Sequence, residues 1–98
     1  MNDTITQEEV QRFYQNLATQ LELGDSVPYA LGLLVCQEYN YAFRSVLEAV
    51  QESVTYGQTL SDALTPHCSV FEPEYVDKIR MGEENGTLTE ALRDAGVQ

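Results

Sequence analysis

Between Thr6 and Gly24 the apolar residues of this chain keep a single spacing. Val10, Phe13, Tyr14, Leu17, Ala18 and Leu21 stand at i, i+3, i+4, i+7, i+8 and i+11. That spacing gathers all six on one face of an α-helix and on no single face of a strand. The stripe has a start and a stop. Thr6-Gln7-Glu8-Glu9 reads as a capping box, with a Thr hydroxyl and a Glu carboxylate each bonding the other's backbone amide. Gly24 follows the last apolar position, where a left-handed residue closes a helix.

The same grammar repeats to the end of the chain. Ser26-Val27-Pro28 restarts it, Pro being suited to the first helical turn. The second helix, from Tyr29 to about Tyr39, is almost wholly apolar and is expected to be buried on several sides, with Cys36 a buried thiol. After a soft break at Tyr39-Asn40, a third helix carries Phe43, Val46, Leu47, Val50 and Val54 and closes at Gly57. Thr59 or Ser61 caps a brief fourth helix that Pro66 ends. Phe71 is expected to plug back into the core, and Pro73 opens a fifth helix facing inward with Tyr75, Val76 and Ile79. Thr87-Leu88-Thr89-Glu90 reads as another capping box, ahead of a sixth helix with Leu88, Ala91, Leu92 and Ala95. No stretch alternates as a strand would. The expected fold is all-α, a six-helix antiparallel up-and-down bundle forming one domain over residues 1–98, with residues 1–5 frayed.

Charge narrows the function. Sixteen Asp and Glu stand against five Lys and Arg, a net −11. Phosphate backbones and anionic headgroups repel such a chain, and a basic protein surface complements it. Neither a P-loop nor a dinucleotide glycine pattern is present, so nucleotide and nucleic-acid binding are not expected. His67-Cys68 is the only pair suggestive of nucleophilic chemistry. Sequence neighbours seldom face each other, and no orienting partner is evident, so no catalytic residue is expected. Cys36, Cys68 and His67 lack finger spacing for a soft metal. Glu72, Glu74, Asp77, Glu83 and Glu84 could bind Ca²⁺ weakly or meet a partner, although no EF-hand loop is present. No cofactor beyond weak Ca²⁺ is expected. Tyr14, Tyr39, Tyr41 and Tyr56 are candidate interface residues. There is no signal peptide and no apolar run approaching a membrane span, which points to a soluble chain or to a piece of a membrane protein.

The tightest corner is Met81-Gly82-Glu83-Glu84-Asn85-Gly86-Thr87-Leu88. Gly82 and Gly86 there allow close approach or positive φ. Glu83 can cap the helix that follows, or reach a basic residue on a partner. Together with Phe13, Leu17-Ala18, Leu21, Gly24, Leu31, Gly57, Leu60-Ser61, Ala63-Leu64, Phe71, Pro73, Tyr75 and Leu92, this corner resembles the cytoplasmic domain of the type II secretion F and type IV pilus PilC-like platform proteins. The resemblance runs in one register over about residues 12 to 95, with Gly82, Glu83, Gly86 and Leu88 as its most compact motif. Asn85 stands where Ser is commoner, and Gln37 to Phe43 carries no family signature.

The resemblance implies a scaffold and not an enzyme. It implies a bacterial inner-membrane protein with this domain on the cytoplasmic side, meeting the assembly ATPase, other platform components and copies of itself. Such proteins usually carry two copies of the domain and three membrane-spanning helices, and Met1 points to the N-terminal copy. The rival expectation is a free-standing acidic helical adaptor, with or without Ca²⁺-linked dimerisation.

Overall fold

The first four helix starts are each occupied by a residue whose side chain accepts from helical amides. In the computed structural model, which describes residues 5–97, six α-helices and one 3-10 turn are found among the described residues: α1 Gln7–Glu22, α2 Val27–Gln37, α3 Tyr41–Thr55, α4 Leu60–Leu64, α5 Pro73–Asn85 and α6 Leu88–Ala95, with the turn at Thr65–His67. The Thr6 hydroxyl accepts from the Glu9 amide at 3.1 Å, and a Glu9 carboxylate oxygen accepts from the Thr6 amide at 2.9 Å, completing the first capping box. Ser26 caps α2, Thr59 caps α4, and the soft break at Asn40 proves to be the cap of α3. Gly24 and Gly57 take the left-handed backbone that their places after α1 and α3 require.

Consecutive helices pack on one another, and α6 returns to pack on α1, so α1 lies between α2 and α6. Arg93 fastens that closure. Its guanidinium donates to Gln15 Oε1 at 3.1 Å, to Thr19 Oγ1 at 3.3 Å and to the Glu22 carboxylate, one face of α1 taking all three. The all-α bundle therefore stands as expected.

At the centre, four rings from three places in the chain meet. Phe13 lies edge-on to Phe43 with centroids 5.9 Å apart, and Phe71 sits 5.7 Å from Phe13 and 6.0 Å from Tyr14. Phe71 is fully buried although it lies outside any helix. The turn holding it is tied by Val70 and Phe71 amides that both donate to the His67 carbonyl at 2.9 Å.

Two expectations are corrected. Helix α2 is not buried on several sides: Ala30, Leu31, Leu34 and Val35 are buried, whereas Tyr29 and Cys36 are exposed. Only α1 and α3 flank α2 closely, so its opposite face meets solvent despite being apolar. Thr87 begins α6, but its side chain makes no capping bond, because its φ of −121° and ψ of 37° are not the extended backbone that aims a cap hydroxyl at the following amides. Of the segment expected to fray, residues 1–4 lie outside the described residues, and Ile5 packs partly buried on the core.

Candidate functional site

The corner at the end of α5 resolves into four separate physical roles. The Gly82 carbonyl accepts from both the Gly86 amide, which closes α5, and the Thr87 amide at 2.8 Å. A side chain at 82 has no room: a Cβ there would stand 2.8 Å from Ala91 Cβ and 3.0 Å from the Thr87 carbonyl oxygen. Gly82 thus lets α6 fold back against α5. Gly86 turns the chain through φ +75°, a region costing an ordinary residue about 1–2 kcal/mol. Leu88 then packs partly buried against the core.

Glu83 does something that its place in the sequence does not announce. One carboxylate oxygen accepts from the Ser61 hydroxyl at 2.5 Å and the other from the Ser61 amide at 3.2 Å. Ser61 is the second residue of α4, so its amide is one of the donors that a helix start leaves open. The Thr59 hydroxyl accepts from the next amide, Asp62, at 3.2 Å. A five-residue helix is too short to hold itself, and here it is capped once by its own chain and once by α5. Glu83 therefore caps a helix, but it is the preceding α4 and not the following α6. One turn earlier on α5, Arg80 reaches Asp62 at 3.3 Å and the Thr65 hydroxyl at 3.4 Å, so a cation and an anion three residues apart both hold α4.

The other sequence candidates do not converge. Glu72 is the N-cap residue of α5, Asp77 pairs with Arg80 at 3.4 Å, and Glu74 and Glu84 are exposed. Among the described residues no group of three or more His, Cys, Asp or Glu is placed to hold a metal ion. The five carboxylates named for Ca²⁺ thus do not form one ligand cluster in this arrangement. His67 ends the 3-10 turn and Cys68 is exposed, with no hydrogen bond between their side chains among the described residues. Of the four tyrosines proposed as interface residues, Tyr39, Tyr41 and Tyr56 are at least 78% exposed, whereas Tyr14 is buried against Phe13 and Phe71. No helix among the described residues is long and apolar enough to cross a membrane.

The Ser61–Glu83 contact, 22 residues apart in sequence, was not foreseen. The signal for it lies in two polar residues, one at a helix start and one in the last turn of a helix, set within a pattern made mostly of glycines and apolar side chains. The Leu60-Ser61 and Gly82-Glu83 steps of that pattern are the two sides of one contact.

Comparison with known proteins agrees with this geometry. A family profile described as "Type II secretion system (T2SS), protein F" matches residues 13–98. The chain is 35% identical over 80 residues to the type IV pilus assembly protein PilC of Myxococcus xanthus, covering 82% of this chain and 19% of that protein. Against PilC of Thermus thermophilus it is 38% identical over 76 residues, covering 78% of this chain and 18% of that protein. Against the type II secretion system protein F of Xanthomonas campestris the figures are 29% over 82 residues, 84% of this chain and 20% of that protein. The chain spans about a fifth of the length of the relatives it matches. Since the match runs through both sides of the Ser61–Glu83 contact and almost to the two ends of the bundle, the chain belongs to the type II secretion system protein F family.

Proposed function

We propose that this chain is a cytoplasmic scaffold domain of an inner-membrane platform protein serving type IV pilus assembly or type II secretion. In this reading it links the assembly ATPase to neighbouring platform components, associates with further copies of itself in the full-length protein, and carries out no catalysis of its own. The observation that carries the reading is the family match over residues 13–98, whose relatives are named for pilus assembly and for secretion. The character of the site supports it. The motif residues are occupied in holding α4, α5 and α6 together, as a rigid docking body needs and a reaction centre does not. The net charge of −11 suits a basic partner surface.

The test is capture of the purified assembly ATPase from the same cell by the immobilised chain, paired with deletion of residues 7–96 from the full-length protein. ATPase retention, and loss of pili or secretion with membrane insertion intact, are the expected results. A deletion that leaves both pili and secretion unimpaired would sink the proposal.

A further inference from the structure

Among the described residues every α-helix but one carries an Asp or Glu, and the exception, α2, carries no charged residue at all. The nearest charges in sequence, Asp25 and Glu38, stand just beyond its two ends. In a chain with a net charge of −11, an uncharged helix 11 residues long needs a reason. Burial supplies half of it. Ala30, Leu31, Leu34 and Val35 are buried, on the side that α1 and α3 flank. Tyr29, Leu33 and Cys36 stand at i, i+4 and i+7, which gathers them in one stripe on the opposite side. Tyr29 is 60% exposed, Cys36 is exposed and Leu33 is half-buried. The stripe is apolar, continuous and covered by no other described helix.

Charge selects what covers it. A basic partner gains nothing from a surface without carboxylates and is drawn to the acidic faces of the other helices. A second copy, itself at −11, is repelled by those faces and meets least repulsion along α2. We propose that the Tyr29–Leu33–Cys36 stripe pairs with the same stripe of a second copy across a twofold axis, the two α2 helices running antiparallel. Each Tyr29 ring then stands over the small Cys36 of the other copy, and the two Leu33 side chains meet near the axis. Parallel pairing would set ring against ring and thiol against thiol, leaving the narrow end unfilled. Antiparallel helices also oppose their dipoles. Asp25 and Glu38 fall on a charged rim around an uncharged centre. One helix face is smaller than the roughly 800 Å² per partner of a stable dimer, so the free chain should pair weakly, with a dissociation constant of about 0.1–1 mM. Copies held in one assembly meet at about millimolar effective concentration, where such a contact is populated. The inference rests on the scaffold reading for the self-association that it localises.

The test is sedimentation equilibrium of the 98-residue chain up to about 1 mM, in about 20 mM and about 500 mM NaCl. A dimer is expected that tightens about fivefold at the higher salt, because screening removes the repulsion between two acidic bodies and spares an uncharged contact. Leu33→Asp, which sets two carboxylates face to face, should weaken it about tenfold or more, and Tyr29→Ser about fivefold. Tyr29 faces solvent in the single chain, so Tyr29→Ser keeps the test decisive even where Leu33→Asp fails to fold. Met81→Asp, at an exposed apolar position on α5, should change nothing. The proposal is overturned by a monomer at every concentration and salt, by a dimer that salt weakens, by one that Tyr29→Ser leaves intact, or by one that Met81→Asp weakens as much. Binding of uncharged phosphatidylcholine vesicles by a chain that stays monomeric in solution would also overturn it and give the stripe to a lipid surface. Each of these would leave ATPase capture unaffected. Dimerisation without ATPase capture would instead count against the scaffold reading alone.

Discussion

A carboxylate that accepts two hydrogen bonds from a buried serine is worth more than one standing in solvent. Ser61 is 1% exposed, so losing its partner leaves a buried amide and hydroxyl to be satisfied elsewhere. Glu83→Ala should therefore lower stability by about 1–3 kcal/mol. Ser61→Ala should cost less, since the Ser61 amide can still donate to Glu83. Because the two side chains share one contact, the double variant should fall short of the sum by about 1 kcal/mol. A double-mutant cycle by urea unfolding measures this directly. Full additivity would mean that Glu83 acts on a partner and not on α4. Glu84, next in sequence but exposed, provides the comparison: Glu84→Ala should change stability by no more than about 0.5 kcal/mol.

Two elements make predictions of opposite kinds. At the start of α1, Glu9 bonds the Thr6 amide and also accepts from the Asn40 side-chain amide at 3.1 Å, so the caps of α1 and α3 share one carboxylate. The Thr6 amide chiefly, with help from Asn40 and against some desolvation, lowers the Glu9 pKa below 4.5. A folded pKa below the unfolded one gives stability that is present above pH 4.5 and is lost as pH falls through the folded value. Glu9→Gln should accordingly flatten the fall in melting temperature below about pH 4.5, as thermal unfolding across about pH 3 to 6 would show. An unchanged slope would place the acid sensitivity elsewhere. At the end of α5, Gly82→Ala sets helix propensity against space. Alanine gains about 1 kcal/mol in a helix interior. The clash with Ala91 Cβ at 2.8 Å and the Thr87 carbonyl at 3.0 Å can be relieved only by moving the α5–α6 backbone, at about 1–3 kcal/mol. The clash wins, and the variant should melt lower than the parent.

For the whole molecule, Phe71 is the residue on which distant parts of the core converge. It touches Phe13 and Tyr14 of α1 and Phe43 of α3 from a loop that no helix stabilises. Phe71→Ala should cost about 3–5 kcal/mol, a large share of the 5–15 kcal/mol typical of a domain this size. Urea unfolding should report it as a lower midpoint, and a loss under about 1 kcal/mol would mean that the core collapses around the gap. Local spacing was enough for much of the fold. The stripe from Val10 to Leu21, the Thr6–Glu9 box, the starts at Ser26 and Pro73 and the closure at Gly86 depend on neighbours within four residues, and periodicity reads such neighbours directly. Burial was less legible. The apolar α2 leaves Tyr29 and Cys36 in solvent because a helix cannot encode how many others will surround it. The candidate site was legible as a motif and opaque as a mechanism, since a carboxylate at Glu83 can turn to α6, to α4 or outward, and each choice leaves the same residues in the sequence. By itself the sequence determined where helices begin and end, which face of each is apolar, and the acidic character of the surface, all set by local sterics, capping and composition. Only the tertiary structure decided that Glu83 caps α4, that α6 closes on α1 through Arg93, and that Tyr14 is buried against Phe71, because each depends on which helices meet after the chain has packed.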